Sequence, residues 1–383
     1  MTSNDLGARS IALHKKLRGK IRVVAKSRLR TNDDLALLYT PGVGTTSAAI
    51  AKHPKLVADY TAKSNTVAVI SDGSAVLGLG NVGPAAAIPV MEGKALLFSE
   101  LAGLNAWPIV LDTQDTDEIV ATIKHIAPVF GGINLEDIAA PKCFEIERRL
   151  KDELDIPIVH DDQHATAIVV LAGLVNALKV VGKDKAAKVV IIGAGAAGNG
   201  TAKLLVADGF SNVLVLDSRG ILSRRRQDLD QYKQEIAAIT NPENIDGDLD
   251  LALRGTDVVI GLSQAGLIQA HHIREMNQRA IVFAMANPVP EIMPDVAKAA
   301  GAYVIATGRS DFANQINNVL VFPGLFAGLL AHDIRRVSDS VKLAAAYELA
   351  GLVARPTRGR IIPSVFDRRV VPTIAAAIAH IDK

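Results

Sequence analysis

KVVIIGAGAAGNGTAKLLVADGFSNVLVLD, residues 188–217, reads as a strand, a glycine turn, a helix and a second strand. The apolar run Val189 to Ile192 suits a buried parallel strand, and a helix is expected from the turn to about Ala207. Val213 to Leu216 supplies the next strand. In the turn Gly193-Ala194-Gly195-Ala196-Ala197-Gly198, Gly193 allows the tight bend and Gly195 lets backbone N–H groups approach a pyrophosphate. Gly198 lets helix and strand pack closely. Asp217 ends the second strand about 20 residues on, where a dinucleotide-binding fold puts an acceptor for the adenosine ribose hydroxyls. These positions, with Ala196 and Ala197 at the helix start, are the candidate cofactor site.

Composition fits an enzyme built on this element. The 383 residues allow two domains with their own cores. Apolar residues make up 49% and aromatics only 4%, which suits a helix-rich α/β chain. A formal charge of +2 gives no electrostatic reason to expect nucleic acid or an anionic membrane as partner. Cys143, the one cysteine, excludes an internal disulfide and fits a reducing cytoplasm. The N-terminal residues have scattered charges and no apolar core, unlike a secretory signal. The longest apolar run, Ala165 to Val181, is broken by Asn176 and Lys179 and suits a buried helix better than a membrane span.

Taken in order, Ser10 to Leu17 reads as a short basic amphipathic helix. Tyr39 stands before the turn Thr40-Pro41-Gly42, ordinarily a packing position. Thr66 to Ser71 is a strand leading into Asp72-Gly73-Ser74, and Met91 to Phe98 opens a helix with Lys94 in its first turns. Trp107 to Asp112 and Asp115 to Ile126 form a strand and helix. Two stretches then carry a strand into a pair of acids: Pro128 to Ile138 with Glu136-Asp137, and Ile156 to Thr166 with Asp161-Asp162. The first pair reads equally well as a helix start capped by Asn134. At strand ends the four acids could form an all-oxygen cage, which favours Mg²⁺ or Mn²⁺ over zinc. His160 and His164 have i, i+4 spacing without an HExxH pattern. Thr256 to Leu262, Ala280 to Ala284 and Tyr303 to Thr307 are further strands, the last two followed by loops carrying Asn287 and Asn318. Ser338 to Ala354 and Thr373 to His380 close the chain as helices. The expected fold is a Rossmann-type domain over residues 164–383 and a second α/β domain, for substrate and metal, over residues 1–163.

The motifs YTPGV (39–43), SDGSAVLGLGNVGPAAAIPVMEGKALLF (71–98), NLEDI (134–138), HDDQH (160–164), GAGAAG (193–198), ANPVPEI (286–292) and NQINNVLVFPG (314–324) together resemble the malic enzyme family in its short bacterial and archaeal form. Departures are Ala165, Ala313 and Val321, where the family usually has Gly, Pro and Gly. The resemblance implies oxidation of L-malate to pyruvate and CO₂ with NAD, or NADP, and Mg²⁺ or Mn²⁺. It makes Glu136, Asp137 and Asp162 the metal ligands, Lys94 and Tyr39 the acid/base pair, and Asp161 the electrostatic partner of Lys94. Asn287 and Asn318, with Lys94, would hold the substrate, and a homodimer is implied. Lys94, held neutral, would take the hydroxyl proton as hydride leaves; Tyr39 would protonate the enol carbon. Asp217 favours NAD, against the countervailing Arg219 and Arg224 to Arg226. The alternatives are a malolactic enzyme releasing lactate, a non-catalytic dinucleotide-binding regulator, and an amino-acid dehydrogenase, which would leave the four carboxylates without a purpose.

Overall fold

The computed structural model describes residues 3–379 and Ile381. Two parallel sheets organise it. The first comprises β1 (Thr66–Ser71), β2 (Asn105–Val110), β3 (Gly132–Leu135) and β4 (Ile158–His160), in the order β2-β1-β3-β4. Its central strand β1, TVAVIS, is buried at every residue, as expected of a strand covered on both faces. The second comprises β5 (Val189–Ile192), β6 (Val213–Asp217), β7 (Gly220–Ile221), β8 (Val258–Gly261), β9 (Ile281–Ala284) and β10 (Val304–Thr307). Its order is β10-β9-β8-β5-β6-β7, parallel except for the β6–β7 hairpin. From β5 the chain passes to β6 on one side and then returns to β8 on the other. This reversal opens a crevice beyond the carboxyl end of β5, where a Rossmann-type sheet takes its ligand.

The helix Asp161–Val181 springs directly from β4 and ends at Gly182, whose left-handed backbone (φ 68°) lets its N–H return to Leu178. It is apolar on all sides because it is packed on all sides. By length and composition it could cross a membrane, but 83% of its apolar window is buried inside the protein. Around it one core joins Val67, Val69, Met91 and Phe98 of the first half to Ile168, Leu171, Val189, Ile191 and Phe283. Burying each such side chain is worth about 1.5–3 kcal/mol.

Several elements differ from the sequence expectation. The helix carrying Lys94 is Gly83–Ala102, starting eight residues before Met91, so Lys94 sits mid-helix and buried rather than in the first turns. Pro84 does not block this start, since a first-turn residue has no intrahelical acceptor for an N–H. β3 stops at Leu135, which leaves Glu136 and Asp137 on a loop, and Asn134 is a strand residue rather than a helix cap. The first helix runs Ser3–Leu17, longer than expected, and Asn32–Leu38 and Gly42–Lys52 follow it. Thr31 and Asp34 form a capping box at Asn32–Leu38. None of the residues in those two later helices is buried.

Candidate active site

The acids meet because three parallel strands end together. Glu136 and Asp137 follow β3, Asp161 and Asp162 follow β4, and Asp72 follows β1. One oxygen each from Glu136, Asp137 and Asp162 lies within 4.8 Å of the others, so these three form a ligand set of oxygens alone, suited to a hard divalent cation. Burial, together with the charges of Asp161, Asp162 and Asp137, holds Glu136 well above the usual carboxylate range despite Lys94 beside it. Such mutual repulsion is what a bound cation relieves.

Lys94 Nζ donates to Asp161 Oδ2 at 2.6 Å and to Glu136 Oε1 at 3.0 Å, and stands 3.9 Å from the centroid of the Phe322 ring. Burial works against its charge, but Asp161 and Glu136 outweigh it and hold the ammonium above the ordinary lysine range. Two carboxylates share this one ammonium. Asn318 Nδ2 donates to the same Asp161 oxygen at 2.8 Å, and its own Oδ1 accepts from Thr166 at 3.0 Å. Asn287 lines the same cleft, of about 790 Å³, as do Lys94, the three ligand candidates and Asn318.

Residues beneath the cleft fix these groups. Asp137 has left-handed backbone (φ 53°); its carbonyl accepts from Ala75 N–H at 2.9 Å, and its N–H donates to Asp162 Oδ2 at 3.1 Å. Ser74 Oγ, which donates to buried Asp72 at 2.6 Å, accepts from Ala139 N–H at 2.9 Å. Lys142 balances Asp72 at 2.5 Å. Glu147 holds the start of the Asp161 helix, accepting from His160 N–H at 2.9 Å, His164 Nε2 at 2.8 Å and Lys151 Nζ at 2.9 Å. Burial would raise the Glu147 pKa, but His164 and Lys151 carry it well below the carboxylate range. Burial pushes the His164 pKa down to about 4 although Glu147 favours its charge, and its Nε2 lies 2.8 Å from Glu147 Oε1. The two histidines therefore offer no joint zinc site: His164 serves Glu147, and His160 lies 3.8 Å from Asp162.

Glu147 escaped the sequence reading, yet it falls on the buried stripe of Cys143, Ile146 and Leu150, and an acid on an apolar stripe is a readable signal. Glu291 was missed too. Fully buried, it accepts from Ser263 N–H and from Ala286 N–H, each at 3.0 Å, and so ties together the loops after β8 and β9 that line the cleft. A second metal-like group, Asp250, His271 and His272, lies outside the cleft. Its His272 Nδ1 accepts from Gln269 N–H at 2.9 Å, which leaves the proton on Nε2 for Asp250 and occupies the atom a metal would need.

The glycine turn opens on a separate cavity of about 500 Å³ lined by Gly193, Gly195, Asp217, Tyr232, Lys233 and Ser263, among others. A Cβ on Gly193 (φ 114°) would meet Leu262 O at 2.4 Å, and one on Gly198 would meet Gly193 O at 1.8 Å. Around Gly195 there is open space. Ala196 and Ala197 begin the helix Ala196–Ala207, which directs its free N–H groups at this opening. Asp217 is not an unencumbered carboxylate. It accepts from Arg226 at 2.8 and 3.1 Å, from Lys233 at 2.9 Å and from Arg219 N–H at 2.9 Å. Burial opposes its ionisation, yet the hydrogen bonds from Arg226 and Lys233 bring its pKa down to about 2. Arg219 points its guanidinium at Asp228 instead.

One candidate is not brought to the cleft. Tyr39 caps the helix Asn32–Leu38, is 65% exposed, and does not line the cavity around Lys94. Within a single chain the Lys94–Tyr39 pairing is absent, because the helices Asn32–Leu38 and Gly42–Lys52 on either side of Tyr39 contribute no residue to the cleft.

The malic enzyme N-terminal domain family matches residues 18–151, and the malic enzyme NAD binding domain family matches residues 163–381. The chain belongs to the malic enzyme family. It is 51% identical to the NAD-dependent malic enzyme of Geobacillus stearothermophilus over 98% of its own length and 79% of that protein. To the bifunctional malic/malolactic enzyme of Bacillus subtilis it is 49% identical, over 98% of this chain and 92% of the other. The crystal structure of the NAD-dependent malic enzyme from Thermotoga maritima superposes with a TM-score of 0.94 at 45% identity, covering 97% of this chain and 98% of that one. Matching family members are named for NAD and for NADP alike. The three departures from the family's motifs, Ala165, Ala313 and Val321, do not line the cleft. Ala165 and Val321 are fully buried, so these two changes fall on packing.

Proposed function

We propose that the chain catalyses the oxidative decarboxylation of L-malate to pyruvate and CO₂ with reduction of NAD or NADP, dependent on a divalent metal. The observation that carries this is the junction of an oxygen-only ligand set with a buried lysine, at the mouth of a dinucleotide crevice. We assign residues 1–163 to substrate and metal and residues 164–383 to the nucleotide. The single buried thiol, Cys143, suits a reducing cytoplasm.

Glu136, Asp137 and Asp162 would hold Mg²⁺ or Mn²⁺, which supplies the positive charge that acidifies the substrate hydroxyl and takes up the negative charge left after CO₂ departs. Lys94 exchanges the hydroxyl proton, held in line by Asp161 and Asn318. Asn287 and Asn318 present amides to the substrate carboxylates. Glu291, by fixing Ser263 and Ala286, keeps the nicotinamide side of the cleft rigid. Assay of the purified chain with L-malate, NAD or NADP and Mn²⁺, with product identification, tests the reading: pyruvate and reduced cofactor are expected. Lactate without net reduced cofactor would instead support the malolactic reading, which the bifunctional relative keeps in view.

Tyr39 fits this chemistry if a second copy supplies it. Leu35, Leu37, Leu38, Tyr39, Val43 and Tyr60 are exposed together on helices that bury nothing within the chain. An apolar surface of this kind marks an interface, and a twofold dimer would exchange two tyrosines between two clefts. Tyr39→Phe and Lys94→Ala are each expected to be inactive in malate turnover. Mixed one to one after dissociation, they should regain about a quarter of wild-type activity, because half the dimers carry one intact site of two. No recovery on mixing would place both groups in one chain or remove Tyr39 from the reaction.

The clamp on Asp217 alters the expected cofactor choice. With both oxygens already accepting, the carboxylate repels a 2′-phosphate less than a lone aspartate would: Arg226 and Lys233 offset the charges of Asp217 and of Asp228, which shares Arg226. Lys233→Gln should raise the NAD to NADP ratio of kcat/KM by about tenfold, equivalent to about 1.4 kcal/mol. An unchanged ratio would mean that neither cation is read by the cofactor.

A further inference from the structure

The acidic floor of the cleft poses an electrostatic problem for a dicarboxylate. With a divalent cation on Glu136, Asp137 and Asp162 and the Lys94 ammonium on Asp161, the four acids still outweigh these cations, so the second carboxylate of a substrate whose hydroxyl and first carboxylate face them finds no cation left to pair with. That carboxylate is driven outward unless a cation receives it. Lys94 does not meet the need, since Asp161 and Glu136 already share its ammonium.

The mouth of the cleft carries a different cation. After the helix Ser3–Leu17, Arg18 (φ 54°) and Gly19 (φ 115°) take left-handed backbone in succession and turn the chain onto the helix Gly83–Ala102. Lys20 is fastened there: its N–H donates to Glu92 Oε2 at 3.2 Å, and its Nζ donates to Pro89 O at 2.5 Å. The ammonium lies 3.6 Å from where a Cβ on Gly93 would stand, one residue before Lys94. Lys20 lines the same cavity as Lys94 and the three acids. An ammonium has three N–H groups; the Pro89 carbonyl takes one, and two remain to offer.

We propose that Lys20 is a specificity-determining residue that receives the substrate carboxylate distal to the metal ligands, so that the cleft selects dicarboxylic over monocarboxylic 2-hydroxy acids. The inference rests on the malate reading above. It also carries a kinetic signature. The distal carboxylate is the one lost as CO₂, so a cation on it stabilises the bound substrate at least as much as the transition state. Its loss therefore appears in KM and not in kcat.

Steady-state kinetics of Lys20→Met, with Lys20→Arg and Glu92→Gln alongside, test this. Lys20→Met should raise the malate KM about ten- to hundredfold, the range of a charge-assisted hydrogen bond, with kcat little changed. Lys20→Arg should recover most of the loss, and Glu92→Gln, which keeps the ammonium, should stay near wild type. Inhibition by oxalate, whose two carboxylates both fit the metal ligands' side of the cleft, should not weaken in Lys20→Met. Oxidation of 2-hydroxybutyrate, which lacks the distal carboxylate, should be equally poor with and without Lys20. Wild-type turnover of malate with an unchanged KM in Lys20→Met would overturn the assignment alone, as would parallel weakening of malate and oxalate. A wild-type chain inert toward malate would overturn the reaction and this inference together.

Discussion

Lys94→Ala should lower NAD(P)-dependent malate oxidation by about 10²- to 10⁴-fold, the usual cost of removing a general acid or base. The expectation rests on position. Lys94 is buried, reaches Asp161 and Glu136 at 2.6 and 3.0 Å, and faces the cleft from the middle of a twenty-residue helix. Alanine removes the proton carrier and also leaves two buried carboxylates without their shared counter-ion, so a lower melting temperature is expected as well. Activity is followed by the absorbance of the reduced nicotinamide, and folding by circular dichroism, so that lost chemistry is separated from lost structure. A folded Lys94→Ala chain with wild-type malate turnover would exclude the lysine from the proton transfer.

Exhaustive chelation should abolish turnover, and Mn²⁺ or Mg²⁺ should restore it. Three carboxylate oxygens within 4.8 Å repel one another, and Glu136 is held protonated more readily than an ordinary carboxyl. A divalent ion cancels that repulsion only in the folded chain, where the three converge. It should therefore also raise the melting temperature, by about 2.7 kcal/mol of added stability at a hundredfold excess over its dissociation constant. Asp162→Asn should lose most of this thermal shift along with activity, and titration of Mn²⁺ by electron paramagnetic resonance reads the affinity directly. Full activity after chelation, or an undiminished shift in Asp162→Asn, would remove the three acids from the metal site.

What could be read from the sequence was local. The strand, glycine turn and helix from Val189 to Ala207 were legible because the turn's glycines and its apolar strand report on neighbours a few residues away. Asp161 and Asp162 were legible at a strand end for the same reason, whereas Glu136 and Asp137 read equally well as a helix start until β3 was seen to stop at Leu135. The cations on Asp217 were only partly so. Arg226 is legible only as one of several arginines that oppose the NAD preference of Asp217, not as the one that grips it, and Lys233 stands 16 residues from its carboxylate, across a hairpin and a loop that no periodicity specifies. The depth of Lys94 was hidden because the helix was read as starting near Met91, whereas it starts at Gly83 with Pro84 in its first turn. Tyr39 is the sharpest case: its motif could be recognised, but its distance from the cleft depends on how the surface helices lie.

The helix Asp161–Val181 begins with the aspartates of the cleft and ends deep against the nucleotide sheet, inside one continuous core. Two sheets are visible in the topology, but the energetics have no matching seam. Cutting the chain near residue 163 would strip the cover from Val67, Val69, Met91 and Phe98 and leave most of this helix without its first-sheet partners. The aspartates are thus mounted on the same rigid rod that both halves need in order to fold. Loss of cooperativity between the halves and loss of the acid cluster's geometry would be a single event.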